Sequence, residues 1–345
     1  MGIDRNLQRH VRQKVSFSYS DVFFGQNVLI SVSSEHGLLF NNDFDTYKSN
    51  GYSKNHNNHS IFYEIWLIDS SKPLIIFHHG TAENSSLHSK LIYFYLMNGY
   101  NCIVFDQEGC GESDGIRGGI KNDDDFIRNL DCIIEKGITL FHENFQVYPE
   151  IFLTAFSSGA PVILEWYSHY AKVEQKILVK KIFLFAPYLK IHSRIIKPLT
   201  HFFLPLYPFK KSLLLRENSQ KAIINGDLKT YIKMNSNISD NTLFLTRRFP
   251  DTRIHRINSY AWLSSMIKQQ NRIIQNAYRN FTIPVFSYIA SNDRVVDNRQ
   301  TRLFMKKIKQ SDNFFIVENS FHEFLDYEDE RSDCFYCNLL GKLKK

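Results

Sequence analysis

The sequence predicts an α/β protein: a mostly parallel central sheet with helices on both faces, interrupted once by a helical insertion. Three observations carry this. Short apolar runs of strand length alternate with helix-length periodic segments between Pro73 and Phe185. The alternation stops from Leu189 to about Asn280. It resumes with two further strand-like runs that lie on either side of one helical segment.

Residues 27–32 and 61–68 have the β-branched and aromatic content of strands. Between them, residues 41–60 are rich in Asn, Ser and Lys and read as an exposed loop. Residues 74–77 form a continuous apolar run, the mark of a strand buried on both faces. Residues 86–97 are helical and stop at Asn98-Gly99, a C-cap signal. A strand over 102–105 follows, then a helix over 123–141 with acidic residues in its first turn, where the helix dipole favours them. Strand 151–155, helix 160–171 and strand 181–185 complete the first run. After the break come strand 285–289, a helix near 300–309 and strand 314–317. The division expected is residues 1–188 and 281–345 as one core and 189–280 as a helical cap.

With 43% hydrophobic residues over 345 positions, the chain can bury a large core, which excludes a disordered protein. The formal charge of +7 favours anionic surfaces but is no nucleic-acid signature by itself. Five cysteines without a repeating spacing make no disulfide framework, and a reducing compartment is expected. Cys334 and Cys337 read as two helical cysteines one turn apart, and Cys110 as structural. No stretch approaches eighteen apolar residues and no secretory leader is evident. A cytoplasmic protein, soluble or peripheral at a membrane, is the expectation.

Catalytic groups in parallel sheets collect at the carboxyl ends of strands. The one Gly-x-Ser-x-Gly match, Gly111 to Gly115, centres on Ser113 but lies in a polar glycine-rich loop with no helix behind it. A nucleophile elbow needs a strand leading directly into the serine and a helix directly after it. Ala155-Phe156-Ser157-Ser158-Gly159-Ala160 has that context, with small residues two positions to either side of Ser157. Asp293 follows strand 285–290, and His322 follows the last strand. Asp297, the rival acid, is better read as a helix N-cap. At the first buried strand, Gly80 permits close approach, and the N–H groups of Thr81 and Ser158 are placed to form an oxyanion hole, typically worth ~3 kcal/mol per donor. His78 reads as a packed neighbour.

His79-Gly80-Thr81-Ala82-Glu83 resembles the His-Gly-x-x-Glu turn of the monoglyceride lipase and lysophospholipase L2 group of α/β-hydrolases, relatives of the serine aminopeptidase S33 type. Residues 106–118 resemble that group's Asp-x-x-Gly-x-Gly-x-Ser-x-Gly-x-Arg-Gly loop, which accounts for the Ser113 decoy. Phe156-Ser157-Ser158-Gly159-Ala160 matches the elbow in part, and Asn292-Asp293 and His322-Glu323 match the acid and histidine segments. The similarity covers about residues 61–188 and 282–327. It implies the α/β-hydrolase fold, a Ser157–His322–Asp293 triad acting through an acyl-enzyme, and no metal or organic cofactor.

The expected activity is ester hydrolysis on a small-molecule lipid or ester, a lysophospholipid or a monoacylglycerol. Thioester hydrolysis, acyl transfer and aminopeptidase action use the same triad and stay open, as does a catalytically silent binding module. Phe202, Phe203 and Tyr207 lie in an aromatic run of the cap, followed by Lys210, Lys211 and Arg216. They are expected either to pack as an internal core of the cap with a solvated basic end, or to receive the acyl chain and touch an anionic membrane surface. No nucleic-acid partner is expected, and the oligomeric state stays open.

Overall fold

The computed structural model describes residues 30–33, 37–40, 44–190, 212–213, 222–223, 225–249, 251, 253–254, 258–276 and 281–344. Phe202, Phe203 and Tyr207 lie outside the described residues.

A short antiparallel hairpin, β1 (Ile30–Ser33) with β2 (Gly37–Phe40), comes first. The central sheet has eight strands: β3 (Lys48–Lys54), β4 (Ser60–Trp66), β5 (Leu74–His78), β6 (Asn101–Phe105), β7 (Ile151–Phe156), β8 (Val179–Phe185), β11 (Val285–Ala290) and β12 (Phe314–Val317). Two-residue strands β9 (Ser212–Leu213) and β10 (Asn258–Ser259) pair with each other. The sheet order is β12-β11-β8-β7-β5-β6-β4-β3, and only β4 and β3 run antiparallel to their neighbours. Every residue of β5, β6, β7 and β11 is buried, as a parallel sheet covered on both faces requires.

The expected loop at 41–60 is corrected. Residues 48–54 are an edge strand, in register with β4 from Lys48 opposite Trp66 to Lys54 opposite Ser60. An edge strand keeps one side in water, so Lys, Ser and Asn cost it little, and an edge lysine discourages pairing with other chains. Lys48 also pairs with the buried Glu64 at 2.6 Å.

Helices α1 (Ser89–Met97) and α9 (Glu330–Lys344) cover one face of the sheet. There Leu91, Ile92, Tyr95, Phe335 and Leu339 pack on Trp66, Ile75 and Phe77. Helices α2 (Asp125–Phe145) and α3 (Gly159–Glu165) cover the other, where Leu130, Ile133, Ile134 and Ile163 meet Ile65, Ile76 and Leu153. Each such apolar side chain contributes roughly 1.5–3 kcal/mol on burial. A single π-turn, Trp166–Tyr170, extends α3 to the length expected. A short helix, α4 (Val173–Leu178), then leads into β8.

Strands β8 and β11 are parallel neighbours, so the chain between them is inserted into one sheet. Its described helices are α5 (Leu228–Asn235), α6 (Thr242–Arg248) and α7 (Tyr260–Asn276). Asp227 and Asn241 cap α5 and α6 by accepting from backbone N–H groups of their first turns. Helix α8 (Asn298–Lys307) begins at Asp297, whose side chain accepts from the Arg299 N–H, the capping role read from the sequence. Cys334 and Cys337 both sit exposed on α9. Among the described residues no helix is long and apolar enough to cross a membrane.

Candidate active site

The site begins at the end of β7, where the chain turns sharply into α3. Ser157 occupies this turn at φ 49°, a left-handed conformation rare for a residue with a Cβ. The surroundings hold it there: its N–H donates to the Phe185 carbonyl, and its own carbonyl accepts from Ala160 and Tyr188. The turn also needs space. A Cβ on Gly159 would lie 2.6 Å from the His78 carbonyl oxygen, and one on Gly80 would lie 3.1 Å from the Ser157 Cβ. Glycine at both positions lets the turns after β5 and β7 touch.

Two loops complete the group. After β11, Asp293 Oδ1 accepts from the N–H groups of Val295 and Val296 at 2.8 and 2.9 Å. After β12, the Asn292 N–H donates to the Ser320 carbonyl, tying the acid and histidine loops together. His322 Nδ1 lies 2.8 Å from Asp293 Oδ2, and His322 Nε2 lies 2.9 Å from Ser157 Oγ. Phe156 packs against the imidazole with ring centroids 5.2 Å apart. With the carboxylate accepting at Nδ1, that nitrogen carries the proton and Nε2 presents its lone pair to the serine hydroxyl. All three side chains predicted from the sequence are therefore brought into one line.

Thr81 and Ser158 also meet, the Thr81 hydroxyl donating to Ser158 Oγ at 2.7 Å. Neither backbone N–H has an acceptor among the described residues. A narrow cleft adjoins them, walled by Gly80, Cys110, Trp262 and Met266. The turn that carries Thr81 is braced from beneath. His79 Nδ1 donates to the Gly80 carbonyl at 2.7 Å, and its Nε2 accepts from the Gln107 N–H at 2.9 Å, which fixes the tautomer. Burial pushes the pKa of His79 down, and pushes His78 down to about 3, so His78 is a neutral packing residue.

Ser113 has no part in this line. Its hydroxyl accepts from the Phe62 N–H and donates to the Asp106 carbonyl, pinning the glycine-rich loop to the sheet. Asp106 sits so close beneath Gly111 that no other residue fits there.

Sequence reading missed the ionic cluster under the turn that follows β5. Glu83 accepts from the Gly80 N–H, from His88 and from Arg248 of α6. Burial pushes its carboxyl up, but the His88 hydrogen bond and the charges of His88 and Arg248 outweigh this and hold it down at about 2. Glu323, beside His322, is pushed the opposite way by burial and by the carboxylates of Glu83 and Asp326. The Glu in the His-Gly-x-x-Glu pattern pointed to the cluster, but nothing local pointed to Arg248.

Comparison with known proteins places this geometry. The family profile described as serine aminopeptidase, S33, matches residues 69–330. A phospholipase named YtpA from Bacillus subtilis strain 168 is 27% identical over 134 residues, 39% of this chain and 48% of that protein. The match thus spans about half the length of that relative. A soluble variant of monoglyceride lipase from Saccharomyces cerevisiae, solved with a substrate analogue, superposes with a TM-score of 0.64 at 16% identity. The superposition covers 86% of this chain and 94% of that one. Monoacylglycerol lipase from Paleococcus ferrophilus gives 0.60 at 18% identity, covering 86% and 97%. These two likenesses show the α/β-hydrolase fold.

Proposed function

The chain belongs to the serine aminopeptidase S33 family of α/β hydrolases, and on that premise we propose that it is a serine hydrolase of carboxylic esters acting on lysophospholipids or monoacylglycerols. The observation that carries the reading is the hydrogen-bonded line Ser157–His322–Asp293 at 2.9 and 2.8 Å, with Ser157 on a strained strand-to-helix turn.

In this mechanism Ser157 Oγ attacks the acyl carbonyl while His322 Nε2 takes its proton. Asp293 holds the imidazole with Nδ1 protonated and stabilises the imidazolium that forms. The N–H groups of Thr81 and Ser158 bind the oxyanion, and His322 then returns the proton to the leaving alcohol. Water activated by His322 attacks the acyl-enzyme in the second half, and collapse of that intermediate frees Ser157.

A lipid substrate is supported by the names of the similar proteins, a phospholipase and two acylglycerol lipases, and by the apolar walls Trp262 and Met266 beside the oxyanion turn. The +7 charge supports peripheral contact with an anionic membrane, where single-chain lipids partition. The test is active-site labelling with a fluorophosphonate, followed by hydrolysis of lysophospholipid, monoacylglycerol, short soluble esters, thioesters and amino-acid anilides. Labelling of the wild type, its loss in Ser157→Ala, and preference for the single-chain lipids are expected. An unlabelled wild type would return the chain to the silent binding modules. Anilide or thioester preference would move it to another branch of the same chemistry. Vesicle binding at low and high salt tests the membrane contact.

A further inference from the structure

Between β8 and β11, one short stretch of the insert touches both halves of the catalytic line. Toward the histidine, the Ile238 carbonyl accepts from the Glu323 N–H at 2.8 Å, and Asn241 Nδ2 donates to the Asp326 carbonyl at 2.9 Å. Arg247 forms an ion pair with Asp326. Toward the oxyanion turn the stretch ends in Arg248, whose side chain is only 1% exposed. Its Nη2 donates to the Ala82 carbonyl at 2.6 Å and its Nη1 to Glu83 Oε1 at 3.2 Å. The other Glu83 oxygen accepts from the Gly80 N–H at 2.9 Å and from His88 Nε2 at 3.0 Å.

The residues held in this way flank Thr81 on both sides. Ala82 sits at φ 56°, a left-handed conformation that a residue with a Cβ leaves unless its surroundings hold it. The peptide that carries the Thr81 N–H, whose Gly80 carbonyl is held by His79, therefore lies between two further fixed points. One is the Gly80 N–H on Glu83, and the other is the Ala82 carbonyl on Arg248. Burying a guanidinium is costly unless it is paired and hydrogen-bonded. Arg248 meets that condition by gripping the turn itself.

We propose that Arg248 is a positioning residue for the oxyanion hole: arriving from the insert, it clamps Ala82 and Glu83 and so aims the Thr81 N–H at the developing oxyanion. The insert is then part of the catalytic frame as well as a cover for the substrate. Preorganised donors act only when they already point at the charge as it forms, so a turn free to relax loses rate in the chemical step and little ground-state binding. The proposal rests on the serine-hydrolase reading above, and its test separates the two.

The test is steady-state hydrolysis of a short p-nitrophenyl ester, which makes no demand on a long acyl-chain site, with melting temperature followed in parallel. Arg248→Ala is expected to lower kcat about a hundredfold, the scale for losing one oxyanion donor, with KM held within about twofold. Guanidinium ion at low millimolar concentration is expected to restore part of kcat in that variant, and ammonium ion to restore less. Arg248→Lys, which keeps the charge beside Glu83 but loses the forked donor, is expected to fall between wild type and Arg248→Ala. It also serves as the test should Arg248→Ala fail to fold. A folded variant with unchanged kcat overturns the clamp, and so does a loss seen wholly in KM or one that guanidinium leaves untouched. A wild type without Ser157-dependent turnover removes the hydrolase reading, and the clamp with it.

Discussion

Asp293→Asn is the sharpest probe of the catalytic line, because the structure dictates how the substitution fails. Asp293 Oδ1 accepts from two backbone N–H groups, Val295 and Val296, at 2.8 and 2.9 Å. An asparagine must keep its carbonyl oxygen on those two donors, since turning the amide would set its NH2 against both. The amide nitrogen therefore replaces Oδ2, the oxygen 2.8 Å from His322 Nδ1. Nδ1 must then accept, and the imidazole proton moves to Nε2, the atom 2.9 Å from Ser157 Oγ. That nitrogen has no lone pair left to take the serine proton. The wrong tautomer in a triad costs ~10⁴-fold in kcat, or about 5 kcal/mol of transition-state stabilisation. Folding changes little, because the side chains are isosteric and the two backbone hydrogen bonds persist. The assay is p-nitrophenyl ester turnover with a parallel thermal melt, and Asp297→Asn is the control. Asn caps a helix as well as Asp does, so the control is expected to stay within about 0.5 kcal/mol in stability and to keep its turnover. A folded Asp293→Asn retaining more than about a tenth of wild-type kcat, against the ~10⁴-fold loss expected, would refute the tautomer argument. Greater damage from Asp297→Asn would transfer the acid role to that residue.

Ser157→Ala is expected to abolish both turnover and phosphonate labelling. Ser113→Ala keeps its labelling and loses roughly 1–3 kcal/mol of stability, because the Phe62 N–H is left without its acceptor; a labelled Ser157→Ala or an unlabelled, folded Ser113→Ala would reverse the assignment. Burial and the neighbouring carboxylates push the Glu323 carboxyl well above the usual range in the fold, whereas the unfolded chain releases that proton near pH ~4.3. Its contribution to stability is therefore greatest below that pH and falls as pH rises toward the raised native value. Glu323→Gln removes the fall, so its gain in melting temperature should be larger at pH 8 than at pH 5, and an equal shift at both would contradict the upward shift of Glu323. Gly159→Ala sets a Cβ 2.6 Å from the His78 carbonyl oxygen, a backbone atom with nowhere to go. It should cost about 1–3 kcal/mol and lower kcat by displacing the oxyanion turn, and a variant of wild-type activity would show that the two turns are not in contact.

The parts of the sheet that could be read from sequence are those buried on both faces. Residues 74–77 are apolar without interruption, and 151–155 are apolar but for Thr154, because helices cover them above and below, and both proved to be central strands. The edge strand Lys48–Lys54 could not be read in this way. Its sequence, KSNGYSK, has no apolar alternation, since most of its side chains face water and its stability comes from pairing along β4. The helix expected over 123–141 was displaced to Asp125–Phe145 for a similar reason. The Asp125 carboxylate accepts from the Lys121 and Asn122 N–H groups, a local alternative that delays helix entry by two residues.

At the site, context outweighed pattern. Gly111 to Gly115 satisfies the five-residue signature, yet the Ser113 hydroxyl is spent on the sheet backbone, whereas Ser157 fails the first glycine and still holds the strained turn. What matters physically is a strand ending on one side and a helix starting on the other, and that remains visible in a single sequence. Arg248 marks where such reading stops. Arg247 and Arg248 are adjacent on a seven-residue helix, and both look like solvated charges. One pairs with Asp326 at 18% side-chain exposure, and the other is sealed at 1% against a turn 165 residues earlier in the chain. No periodicity separates them, because the difference is made by Glu83, which draws one guanidinium inward. A buried carboxylate that carries the oxyanion turn needs a cation, and on this fold the cation comes from the insert. The part of the chain least legible in sequence thus reaches the turn after β5 through a buried ion pair that no local pattern announces.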